Sequence, residues 1–284
     1  MTLDPSQTGQ DRHALSSALK GLRKASGLSG ARLAIRCGMS QSKISRIENG
    51  RLRASIMDVQ LILEALKVDT ETADHVLELA RVASAEYQSV RASVRRGLQH
   101  RQAELATLES EARHIRHFLP SLVTGLLQTH DYMQAAMNPP VNPVEGDTSK
   151  AIERKLRRQS VLHNNEKRFD FLLTESAIRW RLSSPSVLRL QVDHLIAVSK
   201  LPSVRLSVLP LSAHVPDGAF HTFVLYDKKL VTAELFSGRL VLRDLKDVNY
   251  YSDVFDFFFG LAEHGDSARG FLRSISDGFM RLRD

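Results

Sequence analysis

Leu28-Ser-Gly-Ala-Arg-Leu-Ala-Ile-Arg-Cys-Gly-Met-Ser-Gln-Ser-Lys-Ile-Ser-Arg-Ile-Glu-Asn-Gly50 is the stretch that decides how the N-terminal part of the chain folds. It divides at Gly38 into two short helical segments. Each is opened by a serine, Ser29 or Ser40, of the kind that accepts a hydrogen bond from a free N–H of the first turn. Two helices that cross steeply around a three-residue turn need a small side chain where they approach, and Ala34 supplies it. Four residues later the backbone must enter the left-handed region, which Gly38 does without steric cost. Ile44 and Ile47 then recur at i, i+3 on the inner face of the second segment, while Ser40, Gln41, Ser42, Lys43, Ser45 and Arg46 point outward. Many ordinary helix pairs carry an Ala and a Gly at this spacing. The polar and basic outer face sets this pair apart, because its size and chemistry suit a DNA major groove.

The helical period continues on both sides of this stretch. Leu15, Leu19 and Leu22 share a face from Ala14 to Lys24, and Gly27 ends that segment. Beyond Gly50, Ser55 opens a fourth helix with Ile56, Val59, Leu63 and Leu66 on one face. Thr70 opens a fifth, to about Ser84, with Val76, Leu79 and Val82 inward. Residues 1–10 read as a disordered lead-in and 11–85 as an all-α five-helix headpiece. Residues 1–54 hold ten Lys/Arg against Asp4, Asp11 and Glu48, which accounts for the whole net charge of +7 and leaves the rest of the chain neutral. An excess confined to one end points to a polyanionic partner for that end alone.

The run SQSKISRIENG resembles the recognition helix of the lambda-repressor/XRE type of helix-turn-helix protein, down to its Ile-x-x-x-Glu-Asn-Gly ending. The resemblance implies that Gln41, Ser42 and Arg46 face bases. It places Ser40, Lys43 and Asn49 at phosphates, with Ser29 at the start of the preceding helix. Arg51 and Arg53 just beyond are read as further backbone contacts. Where such proteins often carry a Gln after the first capping serine, this chain has Gly30, and Arg32 is the residue placed to compensate. Arg23 and Glu48 occupy positions that some members join in a buried ion pair. Glu48 is the only acid between Asp11 and Asp58, so a specific partner for it is expected.

Residues 86–117 are rich in helix formers and read as a helical connector, interrupted near Gly97. From 118 the character changes. Pro120, Gly125 and the stretch 138–149 are loop signals. Helical periodicity returns at 149–164, 184–199, 244–263 and 266–282. Strand-like runs occupy Arg168–Thr174, Val204–Leu209, Phe220–Tyr226, Leu230–Phe236 and Arg239–Leu242, with Ser237-Gly238 as a hairpin turn. Residues 118–284 are therefore expected to form a mixed α+β domain with a mainly antiparallel sheet, making the chain multidomain. The phrases Leu119-Pro-Ser-Leu-Val-Thr-Gly-Leu-Leu-Gln-Thr129, Phe171-Leu-Leu-Thr-Glu-Ser-Ala177 and Val204-Arg-Leu-Ser-Val-Leu-Pro210 resemble the C-terminal domain of a group of actinobacterial, Streptomyces-like regulators. In that group the domain has no assigned biochemical role, and a small acidic companion protein is often encoded nearby.

Candidates for chemistry are sparse. His214, Asp217 and His221 lie close together around a Pro-Asp-Gly turn and are read as loop polarity ahead of a metal or acid–base site. His114 and His117 have an i, i+3 spacing that could hold a metal on a helix, but no further ligand lies nearby. Glu175 suits the N-terminus of a helix. Cys37 reads as a small core residue, and Val254-Phe-Asp-Phe-Phe-Phe259 as core, with self-association the second choice. There is no phosphate-cradling loop, nucleophile elbow or HExxH sequence. No run of ~18 apolar residues is present, and a single cysteine fits a reducing compartment. No catalytic residue, metal or cofactor is expected. The expected function is that of a cytoplasmic, nucleoid-associated transcriptional regulator. It binds palindromic double-stranded operator DNA as a homodimer, makes no membrane contact, and uses its C-terminal domain to receive a ligand or protein signal. The alternatives are an antitoxin-like regulator whose second domain holds the small acidic companion, and an enzyme tethered to DNA. Convergent titratable groups in a pocket would favour the enzyme, and an exposed apolar groove the companion-binding module.

Overall fold

The computed structural model describes residues 5–52, 54–84, 86–89, 98–138, 141 and 148–282. The chain divides into two compact units, Met1–Ser89 with Arg239–Asp247, and Val90–Gly238 with Val248–Asp284.

The first unit holds five helices, α1 (Pro5–Ala25), α2 (Gly30–Cys37), α3 (Gln41–Glu48), α4 (Ile56–Leu66) and α5 (Thr70–Ser84). Leu15 and Leu19 of α1, Leu33 and Ala34 of α2, Ile44 and Ile47 of α3 and Val59, Ile62 and Leu63 of α4 interlock in one buried core. Local chemistry sets the helix ends. Ser55 and Asp58 form a reciprocal capping box at the start of α4. Helix α1 already begins at Pro5, within the stretch expected to be a disordered lead-in. The inner stripe of α5 also differs from expectation. It runs through Val76, Ala80 and Ala83, with Leu79 only half-buried, because small side chains let α5 approach α1 closely. The side chain of Val82 lies outside the described residues.

The expected helical connector over 86–117 is not a continuous helix. Residues Glu86–Ser89 form strand β1, which neighbours β7 (Gly238–Leu242), so that the first unit is completed by chain returning from far downstream. Helix α6 (Leu98–Glu111) follows, and β2 begins at His114. The expected break near Gly97 lies outside the described residues, as does most of the 138–149 loop.

The second unit continues through β2 (His114–Leu119), α7 (His130–Ala136), α8 (Ser149–Arg158) with a 3₁₀ turn at Gln159–His163, and β3 (Arg168–Thr174). Then come α9 (Glu175–Arg179), α10 (Pro185–Val198), β4 (Val204–Leu209), β5 (Phe223–Tyr226) and β6 (Leu230–Leu235). Helices α11 (Leu245–Gly260) and α12 (Gly265–Met280) flank the two-residue strand β8 (Glu263–His264). Within this unit the described strands lie in the order β6-β5-β2-β3-β4-β8. The outer pairs are antiparallel as expected, but the centre, β2-β3-β4, is parallel. Helical crossovers connect these three strands and cover the sheet, which is why their side chains are buried on both faces.

That burial overturns the reading of His114 and His117 as neighbours on a helix. On β2 the two imidazoles, three residues apart, project to opposite faces. His114 bonds Asp170 at 2.7 Å. His117 stacks on Phe171, its register partner, at 4.8 Å. Asp170 is buried in the sheet centre. Desolvation would raise its pKa, but hydrogen bonds from His114 and Arg205 outweigh that and hold it at about 2. In the aromatic run of α11, Phe255 and Phe258 are buried, the latter against Phe118 at 4.8 Å, while Phe257 is exposed.

Candidate nucleic-acid interface

Helices α2 and α3 meet at Gly38, which has φ 64° and caps α2 by donating its N–H to backbone carbonyls of that helix. Ser29 Oγ accepts from the Arg32 N–H and Ser40 Oγ from the Lys43 N–H, each at 3.2 Å. Helix α3 is then seated from below. Ile44 and Ile47 enter the core, and Ser16 of α1 donates to the Ile47 carbonyl at 2.8 Å.

Glu48 is drawn inward rather than left among the surface cations. Arg23 donates to both its carboxylate oxygens, through Nε at 2.6 Å and Nη2 at 3.0 Å, and spends Nη1 on the Leu28 carbonyl at 2.9 Å. Both side chains are largely buried. The bidentate fork fixes the angle between α1 and α3 and removes the only carboxylate of 28–50 from the outer surface.

The outer surface of α3 presents Gln41, Ser42 and Arg46, all exposed. The side chains of Gln41 and Arg46 have no partner among the described residues, whereas Ser42 shares a hydrogen bond with Ser40 at 3.2 Å. Arg32, Arg51 and Ser29 are exposed on the flanking segments, and Arg53 lies outside the described residues. Two positions are more engaged than the sequence suggested. Lys43 Nζ sits 2.7 Å from Asp58. Burial would raise the Asp58 pKa, but Lys43 and the Ser55 N–H and hydroxyl together hold it below the usual range. Asn49 donates to the Ser45 carbonyl at 2.8 Å and accepts from Lys20 at 3.2 Å. Lys20 thus joins the far end of α3, a residue that the motif alone did not name. Its signal was its i, i+4 spacing from Ser16 on the α1 face that meets α3.

The other chemistry-bearing residues do not converge. His221 bonds the Tyr251 hydroxyl at 2.9 Å, and Asp217 accepts from the Gly218 N–H at 2.7 Å. Glu175 accepts from the Leu211 N–H at 2.8 Å. Cys37 is buried and its thiol pKa is pushed up by that burial. Among the described residues no helix is long and apolar enough to cross a membrane.

Residues 14–76 match the family described as a helix-turn-helix domain, so the first unit is a helix-turn-helix headpiece. No curated protein matches the chain. Among solved structures the chain is similar to a phospholipase D family member, Nuc from Salmonella typhimurium, at 10% identity. That match covers 64% of this chain and 97% of the other, with a TM-score of 0.37. It is also similar to TrmBL2, an archaeal chromatin protein, at 13% identity over 72% of this chain and 61% of the other, with a TM-score of 0.32. Likenesses at these scores say nothing about function. Residues 102–274, most of the chain, match the domain of unknown function DUF5753, and the chain belongs to that family, with a helix-turn-helix domain preceding it.

Proposed function

We propose that the chain is a sequence-specific transcriptional regulator. It binds a palindromic operator as a homodimer through α3, and its second unit receives a ligand or protein signal. The observation that carries this reading is the outer surface of α3. Gln41 and Arg46 stand exposed there with no partner among the described residues, within the first 54 residues that hold all the chain's excess positive charge. Gln and Arg are side chains suited to bidentate base contacts. Both nearby carboxylates are occupied, Glu48 by Arg23 and Asp58 by Lys43, so neither sets a bare negative charge against a phosphate backbone.

Selection of the full-length protein on a pool of random duplexes, followed by binding titrations, tests the reading. A palindromic motif should be enriched. Arg46→Ala should cost about 1–3 kcal/mol on that motif and relax preference at one base position, while affinity for random duplex falls less. Failure to enrich any motif, or equal losses on selected and random DNA, would remove the base-reading role of α3.

A further inference from the structure

Strands β2, β3 and β4 run parallel, so Leu119, Thr174 and Leu209 bring their carboxyl ends to one edge of the sheet. Strand β5 lies on the far side of β2 and runs antiparallel to it. The chain leaving β4 must therefore cross back over the ends of β3 and β2, and residues 210–222 make that crossing. Between this arch and the strand ends lies a cleft of about 290 Å³. The strand ends contribute Pro120, Thr174 and Pro210, and the arch contributes Ala213, Val215, Asp217 and Ala219. Phe258 of α11 also lines it.

The cleft is held open by the protein itself. Thr174 Oγ1 donates to the Pro120 carbonyl at 2.8 Å, tying two strand ends together. One foot of the arch is anchored by the Leu211 N–H on Glu175, the other by His221 on Tyr251. Crevices outside the carboxyl ends of parallel strands are where open sheets place ligands. The volume falls just under the range of drug-sized ligand pockets, roughly 300–1,000 Å³, and so suits only a small molecule.

The lining defines the ligand. It is apolar apart from Thr174, Ser176 and Asp217, and no lining residue is cationic. The Thr174 hydroxyl is already committed. Asp217, exposed on the arch, accepts one backbone N–H on Oδ1, and its other oxygen is not so engaged. We propose that this cleft binds a small amine, its apolar body against Phe258, Pro120 and Val215 and its ammonium on Asp217. The proposal rests on the reading of the second unit as the signal-receiving part of the regulator, and names the site and the ligand class.

Titration calorimetry of the full-length protein with 2-phenylethylamine, 2-phenylethanol and 3-phenylpropionate separates body from charge. The amine should bind best and the carboxylate worst. Val215→Phe, which fills the cleft, should weaken all binding at least tenfold. Asp217→Asn should weaken the amine alone, by about three- to fivefold, as suits an exposed charge pair. Carboxylate binding equal to amine binding, no binding of any probe, or amine binding untouched by Val215→Phe overturns the proposal. Repeating the titrations with the selected operator present tests the reading beneath it. Amine binding that Val215→Phe abolishes, with operator affinity unchanged throughout, upholds the cleft and removes its signalling role. An operator response that survives Val215→Phe overturns the cleft as its source.

Discussion

Glu48 lies among ten Lys and Arg residues of the first 54, yet long-range attraction is not what holds it. Arg23 reaches both its oxygens from a neighbouring helix, inside the core boundary, where solvent screens little. Removing one partner strands the other in a poorly hydrated place. Glu48→Ala and Arg23→Ala should each destabilise the headpiece by about 2–3 kcal/mol. That is below the ~3–5 kcal/mol of fully enclosed pairs, because both side chains keep some contact with solvent. The double variant should lose clearly less than the sum in urea unfolding, and additive losses near zero would show that the pair contributes nothing to the fold. This pairing was legible in the sequence, since one acid in a basic stretch needs a specific partner. The pairing of Lys43 was not, because Asp58 comes from a different helix and meets it only once α4 is packed. It leads to a second prediction. Asp58→Asn keeps an oxygen for the α4 cap but releases Lys43, so the dependence of DNA binding on salt should steepen by about 0.9 in log K against log salt. Fluorescence anisotropy across a salt series reads that slope, and an unchanged slope would show that releasing Lys43 from Asp58 adds no phosphate contact.

At the scale of elements, β2 shows where sequence reading fails. His114-Ile-Arg-His-Phe-Leu119 follows a helix without a Gly or Pro, and its alternation of polar and apolar side chains is broken because both faces are covered. A central strand loses the period by which strands are recognised. Strands at Arg168–Thr174 and Val204–Leu209 were readable from their β-branched and aromatic content, but their parallel pairing with β2 was not, since that depends on the crossovers. Burial of β2 also has a pH consequence. His117 is kept neutral first by desolvation and then by nearby Arg158, its pKa falling to about 3. Unfolding restores a value near 6.5, so the unfolded chain binds the extra proton and stability is lost as pH falls below 6.5. Between pH 7.5 and 5 this amounts to about 2 kcal/mol. Glu109, beside the same Arg158, works in the opposite sense. Desolvation raises it to about 7 despite Arg158 and Lys167, so its cost to the fold is greatest above pH 7 and shrinks on acidification. The two terms offset each other in the native protein. His117→Phe should therefore gain about 2 kcal/mol relative to the native protein at pH 5 over its difference at pH 7.5. Urea unfolding followed by the single tryptophan, Trp180 in the same unit, measures this. A difference independent of pH would mean that His117 takes up a proton as readily in the fold as in the unfolded chain.

For the whole molecule, the helical period located the headpiece well, ending near residue 85, whereas the charge excess marks only its first 54 residues, which carry the motif. Neither could show that residues 239–247 return to the first unit, a pairing some 150 residues apart that no local pattern encodes. Function at this scale follows from the length of α3. Eight residues offer two or three side chains to base edges, and so few contacts rarely supply operator-level affinity. Two copies can, if their recognition helices meet successive major grooves about 34 Å apart. Nothing in bulk electrostatics opposes this, since residues 55–284 carry no net charge. Full-length protein should therefore bind as two chains per duplex carrying both half-sites. It should bind a duplex with one half-site at least tenfold more weakly at matched salt, and inserting five base pairs between half-sites, half a helical turn, should weaken binding comparably by rotating one site away. Sedimentation of the complexes gives the stoichiometry and anisotropy the affinities. One chain per duplex, with single half-sites bound as tightly as pairs, would mean that α3 reads DNA alone and that the affinity comes from contacts outside it.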